Sequence, residues 1–195
     1  GNHSKTIIEG VLDNDFELPS EYSLTSLKEG AEKFDFSFEN TGGQLISIND
    51  DFYKGKSMVI QLMGSWCPNC LDESKFYVDY INNNNLKDIE FVGLAFEYAK
   101  TKEKALRSIL KLKNELGINY PILLAQYAGT DKNKALKKFP MLNNIISYPT
   151  TIFLDKNKEV LKIHTGFNGP ATGQKYVDFI EEFNRTMKSM EISVD

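Results

Sequence analysis

The sequence predicts an α/β protein, a mixed sheet flanked by helices on both faces. Three observations predict it. Met58-Val59-Ile60-Gln61-Leu62-Met63 is a near-continuous apolar run, the pattern of a central parallel strand buried on both faces. Strand-like runs then alternate with helical stripes as far as Leu124, which implies parallel strands joined by right-handed crossovers. A late pair of runs, 150–154 and 160–165, is joined by a short turn and forms an antiparallel hairpin.

Residues 1–30 have no strong period and are expected to be an N-terminal extension to a domain of 31–190, with 191–195 a tail. Phe34, Phe36 and Phe38 alternate with polar residues, a half-buried strand signal. The turn Thr41-Gly42-Gly43 leads to a second strand at Leu45-Ile46-Ser47-Ile48, making a hairpin, and Asn49 to Tyr53 is a short helical or turn segment. After the central strand, Pro68 fits the first position of a helix. Leu71, Ser74, Val78 and Ile81 carry its spacing, and the run Asn82 to Asn85 ends it. Ile89 to Phe96 is a strand. Thr101 caps a helix striped by Ala105, Ile109, Leu112 and Leu116, which Gly117 stops. Tyr120 to Leu124 is a strand and Asp131 to Phe139 a short basic helix. Tyr176, Phe179, Ile180, Phe183 and Met187 mark a closing amphipathic helix.

The chain has 195 residues, 41% hydrophobic and 26% charged, an ordinary globular composition with enough length for a sizeable core. Its net charge of -4 and scattered lysines argue against a nucleic-acid partner. No apolar run approaches the roughly 20 residues of a spanning helix. Gly1 to Lys5 hold no apolar signal core, which leaves a cytosolic protein or a mature exported one.

The cysteines carry the chemistry. There are two, Cys67 and Cys70, in Trp66-Cys67-Pro68-Asn69-Cys70. A disulfide stabilises mainly by closing a long loop, so a pair this close is poorly placed as a staple and well placed for reversible exchange. Cys67 falls at the N-cap of the expected helix, facing free N–H groups and the positive end of the dipole, so its pKa should fall below about 8.5. Cys70 lies one turn in and should stay a thiol until a mixed disulfide forms. Zinc is the other common use of this spacing, but it needs about four ligands, and no second Cys-x-x-Cys or His pair is present.

The run from Met58 to Glu73, with Ser147-Tyr148-Pro149-Thr150-Thr151-Ile152-Phe153-Leu154-Asp155 and His164-Thr165-Gly166-Phe167, resembles the extracytoplasmic branch of the thioredoxin superfamily. These are the redoxin-domain thiol–disulfide oxidoreductases of bacterial envelopes, and the likeness spans about residues 34–187. It implies a thioredoxin-like sheet with an added N-terminal β-hairpin and an inserted strand-helix unit. It implies a thiol–disulfide oxidoreductase that reduces protein disulfides through Cys67 and Cys70. Such a protein needs no cofactor or metal. Its partners are protein disulfide or dithiol clients and an upstream electron-donor protein. The expected setting is the periplasm or outer cell envelope, with a possible membrane tether outside this chain, and the expected state is a monomer.

The resemblance also assigns residues. Pro149 matches the family's cis-proline, which packs on the cysteines and offers the backbone of Tyr148 to the client. Trp66 and Pro68 complete the client-binding surface. Glu73, three positions after Cys70, matches an acidic residue of this branch and shares a helix face with Cys70. It either relays the Cys70 proton with a raised pKa or is a solvated helix glutamate. Cytosolic thioredoxins have a buried aspartate six positions before the first cysteine; Gln61 stands there instead and cannot accept a proton.

Three other readings stand beside this one. Cys67 and Cys70 offer soft thiolates that suit Cu(I), which they would hold with His164 as in thioredoxin-fold chaperones, although those space their cysteines by three residues. A peroxiredoxin-like peroxidase needs a proline and a threonine or serine ahead of its cysteine, where Ile60 and Gly64 stand. A binding domain could keep the fold and use its cysteines little.

Overall fold

The computed structural model describes residues 25–192. Most of the proposed N-terminal extension, 1–24, and the end of the tail, 193–195, lie outside them. The strands are β1 (Ser37–Asn40), β2 (Leu45–Ser47), β3 (Ser57–Met63), β4 (Ile89–Phe96), β5 (Ile122–Gln126), β6 (Thr150–Leu154) and β7 (Val160–Thr165). The helices are α1 (Pro68–Asn83), α2 (Lys102–Leu116), α3 (Lys132–Lys138) and α4 (Gln174–Ile192). One seven-stranded sheet has the order β2-β1-β5-β4-β3-β6-β7. β3, β4 and β5 run parallel; β1 pairs antiparallel with β5 and β2, and β6 with β3 and β7.

The period of two in β3 sets the two layers. Val59 and Met63 face the core that α1, α2 and α4 cover. Met58, Ile60 and Leu62 face the opposite core, closed by Phe34, Phe36, Ile48 and Tyr53 with Ala135 of α3, Phe139 and Leu142. Gln61 therefore points to the α1 side, where the buried Glu73 and Ser74 of α1 face it.

Local chemistry sets the ends. Thr101 Oγ1 accepts the Lys104 N–H at 3.4 Å, and Gly117 takes the left-handed conformation (φ 65°) that closes α2. Asp131 caps α3 through the N–H groups of Asn133 and Lys134.

Several expectations shift. Phe34 and Phe36 are buried in alternation, but the β1 ladder spans only 37–40, and Leu45 on its partner strand is exposed. The fifth strand starts at Ile122 because its ladder with β4 begins at the pair Gly93–Ile122. The buried face of α1 is Cys70, Glu73, Ser74 and Tyr77, with Leu71, Val78 and Ile81 only partly covered. α4 continues to Ile192, so Glu191 and Ile192 are helical rather than tail. Near the other end, Ser26 donates to Asn143 Oδ1 and Leu27 bridges Leu142. Among the described residues no helix is long and apolar enough to cross a membrane.

Candidate active site

β3 ends at Met63 and hands the chain through Gly64-Ser65-Trp66 to α1. The Cys67 N–H donates to Gly64 O at 3.1 Å, tightening this turn. A side chain at Gly64 has no room: its Cβ would lie 2.3 Å from Trp66 Nε1 and 2.9 Å from Phe96 O. Cys67 is the N-cap of α1 with an extended backbone, and Pro68 opens the helix where no N–H is needed. The Cys67 sulfur accepts the Cys70 N–H at 3.4 Å and donates to Tyr148 O at 3.6 Å. Both cysteines are free and buried, Cys70 completely.

The two sulfurs differ sharply in acidity. The hydrogen bond from the Cys70 thiol, aided by the backbone N–H groups of Cys70 and Asn69, holds Cys67 down to about 7 against the opposing effect of burial. Burial pushes Cys70 far up, and its hydrogen bond to Cys67 and the charge there push the same way. One sulfur is thus poised as a thiolate near neutral pH and the other is kept as a thiol. The helix N-terminus contributes, but the largest effect on Cys67 is its partner cysteine.

The Tyr148–Pro149 peptide is cis, and the N–H of Gly166 on the β7 side donates to Pro149 O at 2.8 Å. Tyr148 stacks on Phe96 with centroids 5.1 Å apart. Trp66 stands between Tyr148 and Tyr98, at 6.2 and 4.5 Å.

Behind the cysteines lies a buried polar cluster. Glu73 is wholly buried, which removes the solvated-glutamate reading. Gln61 Nε2 donates to Glu73 Oε2 at 2.8 Å, and Thr151 Oγ1 donates to Oε1 at 3.1 Å. Tyr77 pairs its hydroxyl with Thr151 at 2.8 Å, and Ser74 donates to Gln61 Oε1 at 3.1 Å. Burial raises the Glu73 carboxyl to about 7, and the hydrogen bonds from Gln61, Tyr77 and Thr151 limit the rise. A carboxyl balanced near neutrality can take and return a proton. Hydrophobic periodicity does not reveal Thr151, Tyr77 and Ser74 as partners, because it reports which positions are buried and not which polar atoms meet across elements.

The sequence reading also missed Glu97, which lies just past β4 and accepts both the N–H and the hydroxyl of Ser65. Its place at the carboxyl end of a parallel strand, where α/β sheets carry their working groups, was the available signal. His164 does not join the site. Its ring packs on Phe179 and its Nδ1 lies 3.7 Å from Glu182 Oε2. Among the described residues no three His, Cys, Asp or Glu side chains are grouped to hold a metal, so the Cys67–Cys70–His164 set for Cu(I) is not assembled.

The Redoxin family model matches residues 28–179. The chain belongs to the Redoxin family. It is 24% identical over 156 residues to the thiol-disulfide oxidoreductase ResA of Bacillus subtilis, covering 80% of this chain and 78% of that protein. It is 26% identical over 140 residues to the thioredoxin-like protein YneN of the same species, covering 72% and 73%. Among solved structures it resembles the thioredoxin domain of a thiol-disulfide oxidoreductase from Bacteroides vulgatus. The TM-score there is 0.55 at 18% identity, over 81% of this chain and 99% of that one. In this redoxin the hairpin β1–β2 forms one edge of the thioredoxin-like sheet.

Proposed function

We propose that this redoxin is a thiol–disulfide oxidoreductase that reduces protein disulfides in the cell envelope. The observation that carries the reading is the free pair at the start of α1: Cys67 at the N-cap beside Tyr148 O, and Cys70 wholly buried one turn in, an arrangement that lowers the pKa of the first and raises that of the second.

The Cys67 thiolate attacks one sulfur of a client disulfide. The client's other sulfur leaves as a thiolate and takes a proton from water. Cys67 is then joined to the client in a mixed disulfide. Cys70 gives its proton to the Glu73 carboxylate and attacks Cys67 Sγ. The Cys67–Cys70 disulfide forms as the second client sulfur leaves, and the proton held by Glu73 passes to that sulfur. Two electrons have passed to the client. An upstream dithiol protein restores them with two protons by the reverse sequence. Trp66, Pro68, Tyr148 and Pro149 form the client-binding surface, and Tyr148 O is positioned beside the reacting sulfur.

The working unit is one domain that closes with α4 at Ile192, acting as a monomer, with an N-terminal extension whose residues Ser26 and Leu27 bond to it. The likeness to extracytoplasmic redoxins supports an envelope location, with a membrane tether outside this chain.

A redox titration paired with insulin reduction tests this. The expected result is a two-electron couple between about -120 and -270 mV, with turnover lost in both Cys67→Ser and Cys70→Ser. Unchanged turnover in both variants would end the proposal.

A further inference from the structure

The carboxyl end of β4 does more than finish a strand. Glu97 is 2% exposed, and both of its oxygens are engaged: Oε1 by the Ser65 N–H at 2.8 Å and Oε2 by the Ser65 hydroxyl at 2.7 Å. One residue earlier, Phe96 O accepts the Trp66 indole N–H at 2.8 Å. One residue later, the Tyr98 ring lies 4.5 Å from the Trp66 ring. Phe96, Glu97 and Tyr98 thus grip Ser65 and Trp66, the two residues before Cys67. The grip is anchored, because the Glu97 N–H donates to Gln126 O at 2.8 Å.

Burying a carboxylate is costly unless both oxygens are paired, and here the pairing holds in place two rings that stay in the open. Trp66 is 38% exposed and Tyr98 57%. Folding gains little from fixing exposed rings, whereas recognition gains from fixed apolar area, since rings held before binding lose little freedom on contact.

We propose that Trp66 and Tyr98 form a ledge for the client, held by Glu97 through Ser65, that takes an apolar side chain beside the client's disulfide. This rests on the dithiol reading above. The occupant is an extended client segment, because a sulfur delivered to Cys67 brings its neighbouring residues across the Trp66 side. The ledge selects an apolar side chain over a basic one because Glu97 spends both oxygens on Ser65 and is closed to solvent. Tyr98 is then a specificity residue and Glu97 a positioning residue.

Three disulfide-linked peptides that differ only in the residue beside cysteine, Leu, Arg or Asp, test this with 2-hydroxyethyl disulfide as a substrate without flanking residues. The wild type is expected to prefer Leu over Asp about tenfold in kcat/KM, mostly through KM, with Arg near Asp. Tyr98→Ala should cut that ratio to about twofold, as expected for losing one of the two rings. Glu97→Asp withdraws the oxygens from Ser65 and should cut it equally. It should also shift the emission of Trp66, the one tryptophan of the chain. Glu97→Gln, which can still accept the Ser65 N–H, should keep the ratio. No Leu preference in the wild type, an Arg peptide as good as Leu, or a full ratio in Tyr98→Ala would overturn the ledge. Because Tyr98 is exposed, that last variant tests the ledge even where Glu97→Asp does not fold. Failure of the wild type to reduce 2-hydroxyethyl disulfide would instead overturn the proposed function.

Discussion

Gln61 Nε2 lies 2.8 Å from Glu73 Oε2, so an amide on β3 holds a carboxylate on α1. The same nitrogen reaches Cys70 O at 3.3 Å, which ties the pair to the second cysteine's own turn. Glutamine at the strand position removes a buried acid from β3 but not from the site. The acid sits on the helix, and the amide orients it.

Replacing Glu73 with Gln tests this acid through stability. Folding raises its carboxyl from 4.5 to about 7, so the folded state binds the proton more tightly. Stability from this group is fully present below about pH 4.5 and is lost as pH rises through 7. By pH 8 the loss is about 3 kcal/mol. The Tyr77–Thr151 hydroxyl pair can turn to accept from the new amide, since either atom can be the donor. Urea unfolding at pH 5 and pH 8 should show Glu73→Gln losing less stability than the wild type. An equal loss would show that the carboxyl does not titrate in this range. Release of client from the mixed disulfide should slow about 100-fold, at the low end for a lost general base.

Gln61→Leu acts on the same carboxyl from the other wall. Its hydrogen bond restrains the rise in the Glu73 pKa, so its loss should move that pKa above 7. The acid limb of the rate profile should move to higher pH, because the carboxylate form that accepts the Cys70 proton appears later. The variant also leaves Glu73 Oε2 and the Ser74 hydroxyl short of a partner, costing about 1–3 kcal/mol. A profile that stays in place while stability falls would reduce Gln61 to a packing role.

The parts of this molecule written in apolar runs and caps are legible in its sequence. Ile89–Phe96 and Thr150–Leu154 have the same bounds as strands in the structure, and Thr101 and Gly117 end α2 as expected. The inner face of α1 is not legible in this way. Its buried residues include Glu73 and Ser74, whose partners Gln61 and Thr151 are 12 or more residues away in sequence. Periodicity puts Ser74 on the stripe but scores a glutamate such as Glu73 as solvent-facing, and only the assembled sheet supplies their hydrogen bonds. Glu97 was hidden for the same reason, with Ser65 32 residues away.

The acidity of Cys67 should depend on its neighbour more than on the helix. In Cys70→Ala the thiol that most lowers the Cys67 pKa is absent, although the backbone N–H groups remain. Rates of iodoacetamide alkylation should show an inflection near 7 in Cys70-containing protein. In Cys70→Ala the inflection should move up toward the ordinary thiol range. An inflection still near 7 would assign the shift to the helix N-terminus alone.

Gly64→Ala tests whether the turn before the cysteines is as tight as its contacts say. The new methyl would lie 2.3 Å from Trp66 Nε1, 2.6 Å from Trp66 Cε2 and 2.9 Å from Phe96 O. Phe96 O is backbone within the sheet and cannot swing aside, so the indole must move and its hydrogen bond to Phe96 O must lengthen. Overpacking of this kind costs about 1–3 kcal/mol. Moving the indole also loosens its contact with Tyr98, so Trp66 emission should shift to the red and its quenching by iodide should increase. Because Trp66 is the chain's one tryptophan, the signal has a single source. Unchanged emission together with unchanged urea unfolding would mean that the turn relaxes freely and that Gly64 is not required by this contact.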